Sequence, residues 1–228
     1  MQPEGTEVKR ILQSTSAFYV ALAITAWLTA SLAMAAPGHI LADPAGMLSS
    51  ADRVDFSGTN LLTIEASPFG QCLRSTPERS ATALYQRVEV AAQTLENVSW
   101  QWKVEKLQRS ADVRDIAHED FGAKIMFVFG EPSVFNRDVP TLAYVWTTTP
   151  VTNGAVMRSQ RYNSLIYVQL RGNVDVGQWQ LETRNILDDF QQVFGKAPPP
   201  IKYIAIFNDN DQTNEPTTAL FGPIVSSR

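Results

Sequence analysis

Between residues 98 and 104 the chain reads Val-Ser-Trp-Gln-Trp-Lys-Val. Apolar and polar side chains alternate with a period of two, a pattern that suits an extended strand, whose successive side chains point to opposite faces, and not a helix. The segment predicts a strand that buries Val98, Trp100, Trp102 and Val104 and leaves Ser99, Gln101 and Lys103 wet. A sheet with one apolar face has to be covered by a second layer. Further β-branched and aromatic runs supply it: LLTIEA, ALYQRVEV, KIMFVFG, TLAYVWT, SLIYVQL, IKYIAIF and TALFGPI, separated by Pro, Gly, Asn and Asp. The expected fold is all-β, a sandwich or jelly roll. Trp100 and Trp102 are expected to be packing residues.

One helix interrupts the pattern. In GQWQLETRNILDDFQQVFG, residues 177–195, Trp179, Ile186, Leu187, Phe190, Val193 and Phe194 fall mostly on one helical stripe. Gly195 suits a left-handed C-terminal cap, and Pro198 to Pro200 prevent continuation. This helix is expected to cover an open edge or end of the sandwich.

Residues 17–36, AFYVALAITAWLTASLAMAA, carry no charge. At 1.5 Å per residue a helix of about 20 residues crosses the ~30 Å hydrocarbon core. Lys9 and Arg10 precede the run and Asp43, Asp52, Arg53 and Asp55 follow it, so positive charge marks the N-terminal side as cytoplasmic. The expected order is a cytoplasmic N-terminus (1–16), a single transmembrane signal anchor (17–36), a linker (37–58) and a periplasmic sandwich domain (59–228). The location is then the bacterial inner membrane. Ala33-Met34-Ala35 also fits the small-x-small pattern of a cleaved signal peptide, and the two alternatives stand side by side.

The 228 residues are 44% hydrophobic and 18% charged, enough to bury one good core. A net charge of −4 supplies no basic field for nucleic acid. Cys72 is the one cysteine, which excludes an internal disulfide and cysteine-rich metal sites. His39 and His118 stand far apart, one of them in the expected linker, and GxSxG, GxGxxG and P-loop patterns are absent. No catalytic constellation emerges, and the expectation is a protein that is not an enzyme.

The segments WQWKVEKLQRSADVRDIAHEDFGAKIMFVFG, LAYVW and ETRNILDDFQQVFGKAPPPIKYIAIFNDNDQTNEPTTALFGPI, in this order and spacing, resemble the exported bacterial domain family DUF3047 over roughly residues 59–226. The resemblance implies an exported, galactose-binding-like β-sandwich. It places the family's aromatic strand on Trp100 and Trp102, its acidic-aromatic step on Glu119, Asp120 and Phe121, and its Tyr-x-Trp strand on Tyr144 and Trp146. Its helix signature falls on Arg184, Asn185, Asp189 and Phe190, and its Asp-x-Asp-x-Thr turn on Asp209, Asp211 and Thr213. Asn214, Glu215 and Pro216 stand where the family pattern has glycines.

The turn FNDNDQTNEPTTALF (207–221) fails as an EF-hand, because position 6 from Asp209 is Asn214 and position 12 is Leu220. Asp209 and Asp211 remain weak candidates for a structural calcium; otherwise the turn is held by Asx-type bonds, with Arg184 as an internal counter-charge. Asp120, Arg184 and Asp189 are expected in structural roles. Tyr144, Trp146 and Tyr162 are the candidate surface for a ligand or partner, since an aromatic face suits the apolar face of a sugar ring. Two functions follow. One is a membrane-anchored, non-enzymatic subunit docked on a larger integral membrane complex, photosynthetic or respiratory, with the lipid bilayer as its other partner. The alternative is a periplasmic carbohydrate-binding module with a glycan as its partner.

Overall fold

The computed structural model describes residues 38–91, 95–132 and 138–227. The expected transmembrane segment 17–36 lies outside them, and among the described residues no helix is long and apolar enough to cross a membrane. Two sheets face each other. Sheet A is built from β1 (His39–Ala42), β3 (Leu61–Ser67), β4 (Gly70–Thr76), β6 (Val98–Lys106), β11 (Gln180–Arg184) and β13 (Thr218–Ser226) in the order β11-β6-β13-β4-β3, with β1 also on β13. Sheet B holds β2 (Asp52–Ser57), β5 (Ala81–Val90), β7 (Ala123–Phe129), β8 (Thr141–Trp146), β9 (Val156–Arg158), β10 (Leu165–Arg171) and β12 (Ile201–Asp209) in the order β2-β5-β12-β7-β8-β10-β9. Pairing is antiparallel except between β10 and β8. Helices α1 (Pro44–Ser50) and α2 (Ile186–Phe194) complete the fold.

The alternation in β6 does what its period dictates: Val98, Trp100, Trp102 and Val104 are buried while Ser99, Gln101 and Lys103 remain partly exposed. From sheet B the inner face adds Ile125, Phe127, Phe129, Leu142, Tyr144, Trp146, Ile204 and Ile206. Aromatic rings interlock the layers. Trp100 lies 5.1 Å from Tyr144 and Trp102 lies 5.7 Å from Trp146, centroid to centroid. Two of the indoles have their nitrogens engaged, Trp102 Nε1 donating to Glu182 (3.0 Å) and Trp146 Nε1 to the Gly172 carbonyl (3.0 Å), while the buried Trp100 Nε1 has no partner among the described residues.

Two expectations need correction. The described part of the expected linker, 38–58, is built into the fold: β1 pairs with β13 and β2 with β5, and Asp43 caps α1 by accepting from Ala45 N. Its Pro, Gly and Asp residues mark turns between short elements, a signal identical to that of a loop. The helix is shorter than its stripe. Gln180–Arg184 is extended and pairs with Val98–Trp102, and α2 starts only after Asn185, whose side chain accepts from Leu187 N and Asp188 N. Capping by Asn185 and the free edge of β6 outweigh the helical spacing of Trp179. Gly195, at φ +67°, ends α2 as expected.

Arg184 does not face Asp209 or Asp211. Its guanidinium pairs with Asp189 (2.6 and 2.9 Å), which also accepts from the Tyr144 hydroxyl (2.5 Å). Five residues of separation at the strand-to-helix junction bring the two charges together, and this triad ties α2 to the aromatic core.

Trp102→Ala is expected to lower stability by about 3–5 kcal/mol, since it empties the centre of the core. Tyr144→Phe, which leaves one Asp189 oxygen short of a donor, is expected to cost about 1–3 kcal/mol. Denaturant melts of both variants check this, and a loss below ~1 kcal/mol for Trp102→Ala would remove the ring from the core.

Candidate functional site

Burial of one strand parity fixes what the other parity offers. With Tyr144 and Trp146 inward, β8 turns Thr141, Ala143 and Val145 outward. By register the outward face of sheet B then carries the row Asp52, Tyr85, Ala205, Met126, Ala143, Tyr167 from β2 across to β10. A second row carries Tyr203, Val128, Thr141 and Leu165. Ala143 and Ala205, at the middle of the first row, are fully buried.

One end of this face is closed. Val113 and Phe121, from the segment joining β6 to β7, pack with Ala83, Ala205, Phe207 and Tyr167. The other end is an open groove of about 770 Å³ lined by Phe56, Tyr85, Tyr162, Tyr203, Met126 and Val128, with Asp52 and Asp138 among its polar groups. Tyr203 is held at both ends: Arg87 stacks over its ring at 5.4 Å and its hydroxyl donates to Glu131 (2.5 Å). The Tyr85 phenol is pushed up to about 12 by burial first and by the facing Tyr162 phenol second, so it stays a hydrogen-bond donor at neutral pH.

Tyr162 therefore lines a groove, and 41% of its surface is exposed. Tyr144 and Trp146, expected beside it on the surface, are fully buried and form no ligand surface. TLAYVW is apolar on both parities, and a strand covered on both faces conceals which of its aromatics point inward. Tyr85, Tyr203, Phe56, Asp52 and Asp138 were not singled out by their motifs. The signal for them is present in IKYIAIF, where Tyr203, Ala205 and Phe207 alternate with Ile204 and Ile206.

Beneath the closed end lies a buried charged cluster. Asp120, Asp209 and Asp211 offer oxygens within 4.8 Å of one another. Asp120 uses both of its oxygens to hold the 210–214 turn, accepting from Gln212 N (3.2 Å), Thr213 N (2.7 Å) and Thr213 Oγ1 (2.5 Å). Asp209 Oδ1 accepts from Phe121 N (2.7 Å). Lys124 lies between the rings of Phe121 and Phe207, 3.7 and 3.8 Å from their centroids. Burial pushes Asp209 well above the usual carboxylate range and Lys124 below the usual ammonium range, and each charge partly offsets the other's shift. Nearby, Glu119 accepts from the Tyr167 hydroxyl (2.7 Å) and pairs with Arg161. The three aspartates match a metal centre in number, yet both Asp120 oxygens and Asp209 Oδ1 are engaged by backbone donors, Asp211 Oδ2 accepts from Gln212 Nε2 while its Oδ1 is buried without a partner, and the Lys124 side chain stands opposite. The donor set fits a turn clamp better than a calcium cage. The clamp from Asp120, about 90 residues away in sequence, adds to the turn's own side-chain bonds, Thr213 Oγ1 accepting from Glu215 N (3.3 Å) and Asn210 Nδ2 donating to the Glu215 carbonyl (3.0 Å).

Because the folded pKa of Asp209 lies above its unfolded value of 3.8, the stability it contributes is fully present below 3.8 and lost as pH rises through the folded value. Asp209→Asn is expected to flatten that part of the profile, read from denaturant melts between acid and neutral pH. Thermal midpoints of the wild type with calcium and with chelator should coincide; a loss of many degrees on chelation, absent in Asp209→Asn and Asp211→Asn, would make the clamp a metal site.

No curated protein matches this sequence. Among solved structures, the family 11 carbohydrate-binding module from Clostridium thermocellum, in complex with a β-1,3-1,4-mixed-linked tetrasaccharide, is similar at 12% identity, covering 83% of this chain and 95% of that one with a TM-score of 0.40. The xyloglucanase domain of NopAA, a type three effector from Sinorhizobium fredii, in complex with cellobiose, is similar at 8% identity over 77% and 92% of the two chains, with a TM-score of 0.40. Residues 56–225 match the family described as protein of unknown function (DUF3047), and the chain belongs to that family.

Proposed function

We propose that the domain binds a glycan chain in the groove of sheet B. The observation that carries this is the groove itself, in which Tyr85, Tyr162, Tyr203 and Phe56 share the lining with Val54, Met126, Val128 and Leu165. Aromatic faces suit the apolar faces of sugar rings, while phenol hydroxyls and the Asp52 and Asp138 carboxylates suit sugar hydroxyls. Tyr203 is preorganised by Arg87 and Glu131, so little side-chain freedom is lost on binding.

Binding without hydrolysis is part of the proposal. Asp52 sits on β2 and Asp138 just before β8, with β5, β12 and β7 between these strands. Four inter-strand steps of ~4.8 Å put them about 19 Å apart, beyond the ~5–9.5 Å over which a carboxylate pair cleaves a glycosidic bond. A membrane-anchored subunit depends on residues 17–36, and nothing among the described residues supports docking on a membrane complex.

Tyr162→Ala and Tyr203→Ala are each expected to weaken binding to soluble polysaccharides in affinity electrophoresis by about tenfold, with the melting temperature nearly unchanged. Wild-type protein that retards on no polysaccharide would end the proposal.

A further inference from the structure

We infer that the groove selects an amino glycan, a chain whose sugars carry protonated amines; this rests on the glycan reading of the groove. The charges around the groove point there. Asp52 and Asp138 stand on opposite walls, and among the described residues neither carboxylate is paired with a cation. Asp138 Oδ1 accepts a backbone bond from Ser164 N at 2.7 Å. The cations near the rim are already engaged, Arg87 with Glu131 and Glu89 and Lys202 with Glu89. No lysine or arginine is among the described groove-lining residues.

Between the carboxylates lie three phenol rings, whose faces attract an ammonium group. A ligand amine can therefore meet a carboxylate at either wall and an aromatic face between them. A uronic or sulfated chain would meet two uncompensated carboxylates, in a protein of net charge −4. A neutral chain would use the same rings and hydroxyls but leave both carboxylates without a counter-charge.

The experiment is calorimetric titration of the wild-type domain, at mildly acid pH and low salt, with three oligosaccharides of equal length: β-1,4-linked glucosamine, its N-acetylated counterpart, and β-1,4-linked glucose. The glucosamine oligomer is expected to bind about tenfold more tightly than either neutral oligomer, with the advantage lost in high salt. Asp52→Asn and Asp138→Asn, whose amides can still hydrogen-bond sugar hydroxyls, should each erase most of that advantage, lower the neutral oligomers' affinity far less, and leave the melting temperature nearly unchanged. Equal affinity for all three, or an equal loss for charged and neutral oligomers in the variants, overturns the amine preference and leaves the glycan groove standing. Failure of all three to bind overturns both.

Discussion

Tyr144 and Trp146 of sheet B packing on Trp100 and Trp102 of sheet A is the contact on which the rest of this domain depends. Side chains in a strand alternate, so inserting these two rings between the layers settles the parity of β8, and hydrogen-bonded register carries that parity to β7, β12 and β5. The outward face of sheet B is a consequence. Ala143, Ala205 and Ala83 fall at its middle and Tyr203 and Tyr85 at its flank. A slip of one residue anywhere in this ladder would put tyrosines into the core and isoleucines into the groove.

The two sheets treat their outer faces differently. On sheet A, Arg74, Glu65, Glu105 and Lys103 form an ion-paired, solvated surface. On sheet B the outer face carries many apolar side chains, and one end of it is covered by the segment leading into β7. That segment is held by the clamp of Asp120 on the 210–214 turn and by Asp209 on Phe121 N. The buried charges thus have a constructive role: they close one end of the sheet so that the groove has an end wall. Lys124 balances this acid cluster while its ammonium sits between two aromatic rings, which lowers the cost of burying it.

The long central strands could be read in the chain because their apolar content is high and contiguous: VSWQWKV, KIMFVFG, TLAYVWT, SLIYVQL and IKYIAIF are all strands in the fold. The short or outer elements β1, β2, β4, β9 and β11 escaped notice. They draw stability from a neighbour's unpaired backbone more than from their own side chains, so little in Gln180–Arg184 or Asp52–Ser57 marks them as extended. The groove was legible in one residue, Tyr162. Its other aromatics lie on strands whose two faces are both apolar, where alternation carries no sign of inside and outside.

By itself the sequence determined the layered all-β class, the burial of Val98, Trp100, Trp102 and Val104, the end of α2 at Gly195 and membership of its family, since each depends on local periodicity, backbone conformation or motif order. Only the tertiary structure decided that Arg184 meets Asp189, that Asp120 clamps the turn at Gln212 and Thr213, and that Tyr144 faces the core while Tyr203 faces a groove. These are pairings between residues brought together by sheet register and layer packing, and no local preference of either partner contains that information.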